Sequence, residues 1–222
     1  MRLQQSSLYD ALMRLPMLGW TMLIATVSMG DLARYAGKPV PIPSTAIYAI
    51  NIVMRLSTIG FFLLAGASVV LRWRPAGKAR GAEPRISALI GSFVVYAFGL
   101  FPRRELSPAA EVASTMLVLA GSGGALCVLI ELGRSFSLMA EARRLVTAGV
   151  YRIVRHPLYL AEEIATVGVL MQFLCFWTLL LLAVQIGFQL RRMRNEEVLL
   201  AGVFPEYAAY KARTARLVPG IC

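Results

Sequence analysis

The chain has a single histidine, His156, which follows two arginines and precedes a proline in "TAGVYRIVRHPLYLAEE" (147–163). Gly149 suits a turn and Pro157 suits the first position of a helix, so His156 is expected at a helix entrance. The free N–H groups of such an entrance, with Arg152, Arg155 and His156 beside them, fit an anionic or polar ligand. The same residues also fit a plainer arrangement, in which the arginines only set membrane orientation and the histidine caps the helix. Tyr159, Glu162 and Glu163 follow at i, i+3 and i, i+4 spacing, which places either carboxylate beside the phenol on one helix face. A carboxylate inside an apolar span costs about 2.5 to 3.5 kcal/mol. The two must therefore pair, protonate or line a wet cavity, unless they lie at the interface in water. Further on, Arg192 and Glu196 stand four residues apart, within reach of His156 if the chain between them doubles back.

Those residues need a scaffold, and composition names its solvent. Hydrophobic residues make up 58% of the 222 and charged residues 16%. Such a chain is expected to be an all-α integral membrane protein. Its net charge of +11 sits in clusters between apolar runs, as membrane topology requires, so nucleic acid is not an expected partner. One histidine and no CxxC give no zinc site, and no metal is expected.

A hydrocarbon core of about 30 Å needs about 20 apolar residues per helix. Six spans are expected, approximately 12–30, 45–71, 86–101, 111–132, 158–173 and 175–190. The last two read as a tight helical hairpin with an aromatic tip at Phe173 to Trp177. The first is read as a helix and not a cleaved leader, because its polar lead contains Asp10 and it ends without an A-x-A site. Lysines and arginines then divide 18 to 4 between alternate compartments, with Arg55 inside a span. Both termini are expected in the cytoplasm of a multi-pass protein, with a bacterial inner membrane as its setting.

The chain divides into N-terminal helices over 1–132 and a polar-rich part over 133–222. "RWRPAGKARGAEPR" (72–85) reads as a solvated basic loop touching headgroups. "AGSGGA" (120–125) lies inside a span, where small residues serve close helix packing. Arg55 either pairs with a buried carboxylate or marks an irregular span. Leu199, Leu200, Val203, Phe204, Tyr207 and Tyr210 recur at helical spacing, which describes an amphipathic segment lying in the interface.

Taken together, "RRLVTAGVYRIVRHPLYL" and "RRMRNEEVLLAGVFPEYAAYKARTARLVP" resemble the isoprenylcysteine carboxyl methyltransferase family and its phospholipid methyltransferase relatives over about 134–219. The shared pattern is LVT-x-G-x-Y, RHP-x-Y, EE-x-x-L and EYxxY before a closing proline. The resemblance implies a cytoplasmic-side S-adenosylmethionine (SAM) site built by the hairpin, the stretch before it and the C-terminal interfacial helix. Cofactor contacts carry over to Leu145, Val146, Tyr151, His156, Pro157, Leu158, Tyr159 and Glu196. A catalytic or acceptor-binding arginine carries over to Arg192, beside Glu196. Two positions depart from the family: an upstream glutamine has no counterpart in "GRSFSLMAEA", and Pro205 replaces a glycine.

The implied reaction is methyl transfer to a lipophilic acceptor with a carboxylate, amine or thiol head. Arg192 would hold the head while the tail enters from the lipid bilayer. An amine or thiol would need a base, for which Glu162 and Glu163 are the candidates at the substrate side. Two other classes fit the hydropathy. One is an NADPH-dependent sterol-type reductase, and the other a transporter with Glu162, Glu163 and Arg55 as a relay.

Overall fold

The computed structural model of the chain describes residues 14–37 and 45–219. Residues 12 and 13 of the first expected span, Asp10, Lys38 and Cys222 lie outside them. The described chain is mostly helical, with almost no sheet. Its helices are α1 (Leu15–Ala36), α2 (Thr45–Leu71), α3 (Glu83–Phe93), α4 (Pro108–Leu132), α5 (Pro157–Gln172), α6 (Phe176–Val203) and α7 (Tyr207–Arg213). Two short strands, β1 (Gly77–Lys78) and β2 (Glu141–Ala142), form an antiparallel ribbon.

Local chemistry fixes several of these boundaries. Ser107 caps α4 by accepting from the Ala110 N–H, Pro108 occupies its first turn, and Gly133 ends it at φ +49°. Pro157 opens α5 with His156 at the cap, as the sequence leads one to expect. The Cys175 N–H donates to Thr178 Oγ1 at 2.9 Å, which starts α6 three residues after α5 ends.

Three helical stretches are long and apolar enough to cross a membrane: Leu15–Ala36, Thr45–Leu71 and Pro108–Ser135. The other expected crossings differ from that reading. The segment 86–101 is an 11-residue α-helix followed by a tighter 3-10 stretch, Val94–Leu100. The 16 residues of α5 span about 24 Å at 1.5 Å per residue, short of a hydrocarbon core of about 30 Å. Helix α6 does not stop near residue 190 but runs on to Val203, carrying its basic residues as one rigid rod. Among the described residues, three of the six expected spans thus meet the criteria of length and apolarity.

The expected hairpin is present but open, joined through side chains: Tyr159 meets Glu196, Glu162 meets Gln189 and Glu163 meets Gln185. Helices α1, α2, α4 and α5 pack in a row, each against the next, while α6 packs against α3. Consecutive α5 and α6 touch little along their backbones. The seam between α4 and α5 explains the pairing. A Cβ on Gly121 would collide with the backbone of Ala161 and Ala165, and one on Gly168 would lie 2.8 Å from the Ser114 carbonyl oxygen. Ser114 Oγ donates to Gly168 O at 2.8 Å across this contact. The "AGSGGA" run thus serves close helix packing.

Arg55 pairs with Asp31 at 2.8 Å and stacks on the Tyr35 ring, so it has a carboxylate partner, though a half-exposed one. The 72–85 loop is more than a solvated connection. Ala76 N–H and Ala79 N–H donate to Ala142 O and Ala140 O, fastening it over the segment that follows α4. Trp73 receives the guanidinium groups of Arg134 and Arg144 on its ring. A core of Ala65, Val69, Ala125, Leu129, Phe136, Tyr151 and Leu158 closes the bundle beneath this polar end.

Candidate functional site

Gly149 begins the construction. Its φ of +58° lies in the left-handed region, and a Cβ there would collide with the Glu131 carboxylate. That carboxylate accepts the Val150 N–H at 3.0 Å, so the "TAGVY" turn is tied to the end of α4. The turn buries Tyr151, whose carbonyl accepts from the Tyr210 hydroxyl at 2.7 Å. The chain tail then returns beside it. Arg155 N–H donates to Ala215 O at 2.8 Å, and His156 N–H to Arg216 O at 3.1 Å.

Glu197 is the hub of this closure. It is 4% exposed and accepts from Arg155 Nε at 3.1 Å, His156 Nε2 at 3.2 Å and Arg216 Nε at 3.0 Å, with Lys211 Nζ at 3.2 Å. An ionised carboxylate only accepts, so the imidazole presents its Nε2–H. Burial alone would raise the Glu197 carboxyl. The hydrogen bonds from His156 and Arg216 and the charge of Arg155 outweigh it and hold the group well below the usual carboxylate range. Arg155 also donates to the carbonyls of Lys211 and Thr214, fixing the tail as a lid wall. Burial pushes the Tyr210 phenol up to about 12 and the Tyr151 phenol higher still.

Its neighbour Glu196 points elsewhere. Consecutive helical residues are turned about 100° from each other. Glu196 Oε1 accepts the Tyr159 hydroxyl and faces Arg192 Nε at 3.6 Å. Arg192, 3% exposed, lies over the Tyr159 ring at 4.7 Å and donates to Ser92 Oγ at 2.8 Å and Leu138 O at 2.9 Å.

These side chains line one cavity of about 870 Å³, its open mouth included. Of the expected site residues, Leu145, Val146, Tyr151, His156, Leu158, Tyr159, Arg192 and Glu196 all line it. Pro157 does not; it is buried at the start of α5, where it sets the direction of its neighbours. Glu162 and Glu163 do not reach this cavity either. Glu162 Oε2 accepts from Gln189 Nε2 at 3.1 Å and Glu163 Oε1 from Gln185 Nε2 at 2.6 Å, so both pair with amides of α6. Arg152 is exposed.

Sequence reasoning missed Glu197, Tyr207, Ser135 and the ribbon residue Glu141, which carries Lys78 at 3.4 Å and Arg143. A signal for Glu197 existed: a doublet on a helix must serve two faces. Nothing in the sequence marked Ser135 or Glu141, whose position depends on the ribbon.

Helices apolar enough to cross a membrane, with a cavity lined by polar and charged side chains at one end of the bundle, define a membrane protein. Residues 114–202 match the model of the isoprenylcysteine carboxyl methyltransferase (ICMT) family, the family that the motif residues resemble. The chain is also similar to the cobalt-zinc-cadmium resistance protein CzcN of Cupriavidus metallidurans, 33% identical over 103 residues. That alignment covers 46% of this chain, and the chain spans 44% of the length of that relative.

Proposed function

We propose that the protein is an integral membrane methyltransferase that takes SAM in the 870 Å³ cavity and methylates a lipophilic acceptor. The observation that carries this reading is that one cavity is lined jointly by 135–159 and by 192–210, the two halves of the family-like motif. The chemistry of the lining suits the cofactor. SAM presents an ammonium, a carboxylate, hydroxyls and a sulfonium. Glu196 supplies an anion, and the buried Ser135 Oγ and Tyr207 hydroxyl have no hydrogen-bond partner among the described residues. Buried hydroxyls without partners in a cavity are poised for a polar ligand.

When bound, SAM supplies an electrophilic methyl carbon, so the chain need offer no covalent nucleophile. Glu196 would hold positive charge near the Tyr159 ring, Leu145 and Val146 would wall one side, and His156 would stay oriented by Glu197. Arg192 fixes Tyr159 and Glu196 together, so it positions the reacting groups. Positioning and exclusion of water supply much of the rate in a direct transfer. The basic clustering described above favours a cytoplasmic opening, both termini on that side and a bacterial inner membrane.

The test is incubation of the purified protein with methyl-labelled SAM and a membrane lipid extract, followed by separation of the products. Label in an extractable lipid, dependent on the protein, is the expected result. No SAM binding and no labelled product would overturn the reading, and binding of NADPH in place of SAM would favour a reductase.

A further inference from the structure

Beyond the wall made by Tyr159 and Arg192, one turn further along α5, a second cavity of about 1040 Å³ opens among α1 to α6. Its walls are apolar, with Phe61, Phe62, Phe98 and Val169 among them, and its polar end holds Glu162 and Gln185. Gln185 is 2% exposed, and its Oε1 has no hydrogen-bond partner among the described residues. The orientation of that amide is fixed, because its Nε2 donates to Glu163 Oε1 at 2.6 Å. Gln189 repeats the pattern: its Nε2 donates to Glu162, and its Oε1 is buried without a hydrogen-bond partner among the described residues.

The polar end is therefore rich in acceptors. Thr58 and Thr166 spend their hydroxyl protons on the Met54 and Glu162 carbonyls, leaving the neutral hydroxyls of Ser92 and Tyr96. No Lys, Arg or His lines this cavity among the described residues. Arg192 stands behind the wall, engaged by Ser92, Leu138 and Glu196. Glu162 and Glu196 thus share one guanidinium, while Glu163 has only the Gln185 amide, which leaves the region short of positive charge.

We propose that this second cavity seats an amphiphile with an amine head, its N–H groups on Glu162 and Gln185 Oε1 and its apolar body among the phenylalanines. An ammonium offers three donors and no acceptor, which complements this end; a carboxylate head would set acceptor against acceptor. The inference rests on the methyl-transfer reading only in making this amphiphile the acceptor, for which the ammonium would first give a proton to Glu162 and so free the nitrogen lone pair that takes the methyl group; binding itself requires no SAM.

The experiment measures binding of dodecylamine, dodecanol and dodecanoic acid to the full chain in lipid nanodiscs, with SAM affinity measured in parallel. The amine is expected to bind about tenfold tighter than the other two. That preference should fall to near unity in both Glu162→Gln and Gln185→Leu while SAM affinity is kept, which also shows that the variants fold. Equal binding of the three probes, tighter binding of the acid, or an amine preference that survives in both variants would overturn the proposal. Failure of the wild type to bind SAM would instead count against the methyltransferase reading alone.

Discussion

Glu197 gathers three cations and an imidazole while Glu196, one residue away, faces the cavity, so substitutions at the two should separate stability from binding. Glu197→Ala leaves Arg155 buried without its carboxylate, a change of about 3 to 5 kcal/mol in stability. A lowered thermal midpoint in detergent would register it. Glu196→Ala takes the carboxylate from buried Arg192 and should lower the midpoint less, because Arg192 keeps its bonds to Ser92 and Leu138. The Glu197 carboxyl titrates below its unfolded value of about 4.3. Its contribution is therefore complete at neutral pH and is lost as pH falls below about 4, when the carboxylate takes up a proton. A midpoint that falls with acid in the wild type but less steeply in Glu197→Gln is the expected signature. Gly149→Ala meets both a positive φ and the Glu131 carboxylate, and should cost about 1 to 3 kcal/mol. Much of this scale was legible in the sequence. His156, Tyr159, Arg192 and Glu196 were marked by type and spacing, whereas Glu197 was passed over because its role depends on where the tail returns.

At the scale of elements, the α4–α5 seam and the β1–β2 ribbon do the positioning. Gly168→Val places side-chain atoms against Ser114 and Val118 and should destabilise by about 1 to 3 kcal/mol. Gly123→Ala, where a Cβ meets open space, should be neutral or stabilising by up to about 1 kcal/mol. Thermal midpoints of the two variants in one detergent would decide whether the seam is as tight as described. Ala79→Pro removes the N–H that holds the basic loop to Ala140, and should weaken SAM binding while leaving α1, α2 and α4 folded. Circular dichroism and calorimetry on one sample would separate these effects. The second expected span coincides with α2, because apolar run length alone decides such a helix. The continuous apolar run marks both helices and their return through residues 173–175, but says nothing of which other helices their backbones pack against. Their partners were set by Gly121 and Gly168 on one side and by the α3 contact on the other.

Across the whole molecule, charge and cavity coincide. Arg14, Arg134, Arg143, Arg191 and the tail cations gather at the end where the first cavity opens, while Arg103 and Arg104 lie at the other, by the α5–α6 turn. Composition and charge clustering were enough to read a membrane protein. The number of crossings is less directly legible: three helices among the described residues meet both length and apolarity, while α3 and α5 are short and α6 continues past its apolar half. Calorimetric titration of SAM into the wild type and the His156→Ala, Glu196→Ala and Arg192→Ala variants tests the cofactor cavity most directly. Binding to the wild type, weakening by about tenfold in the first two variants and near-normal affinity with low turnover in Arg192→Ala are expected. Equal affinity in all three variants, or no binding to the wild type, would contradict the assignment.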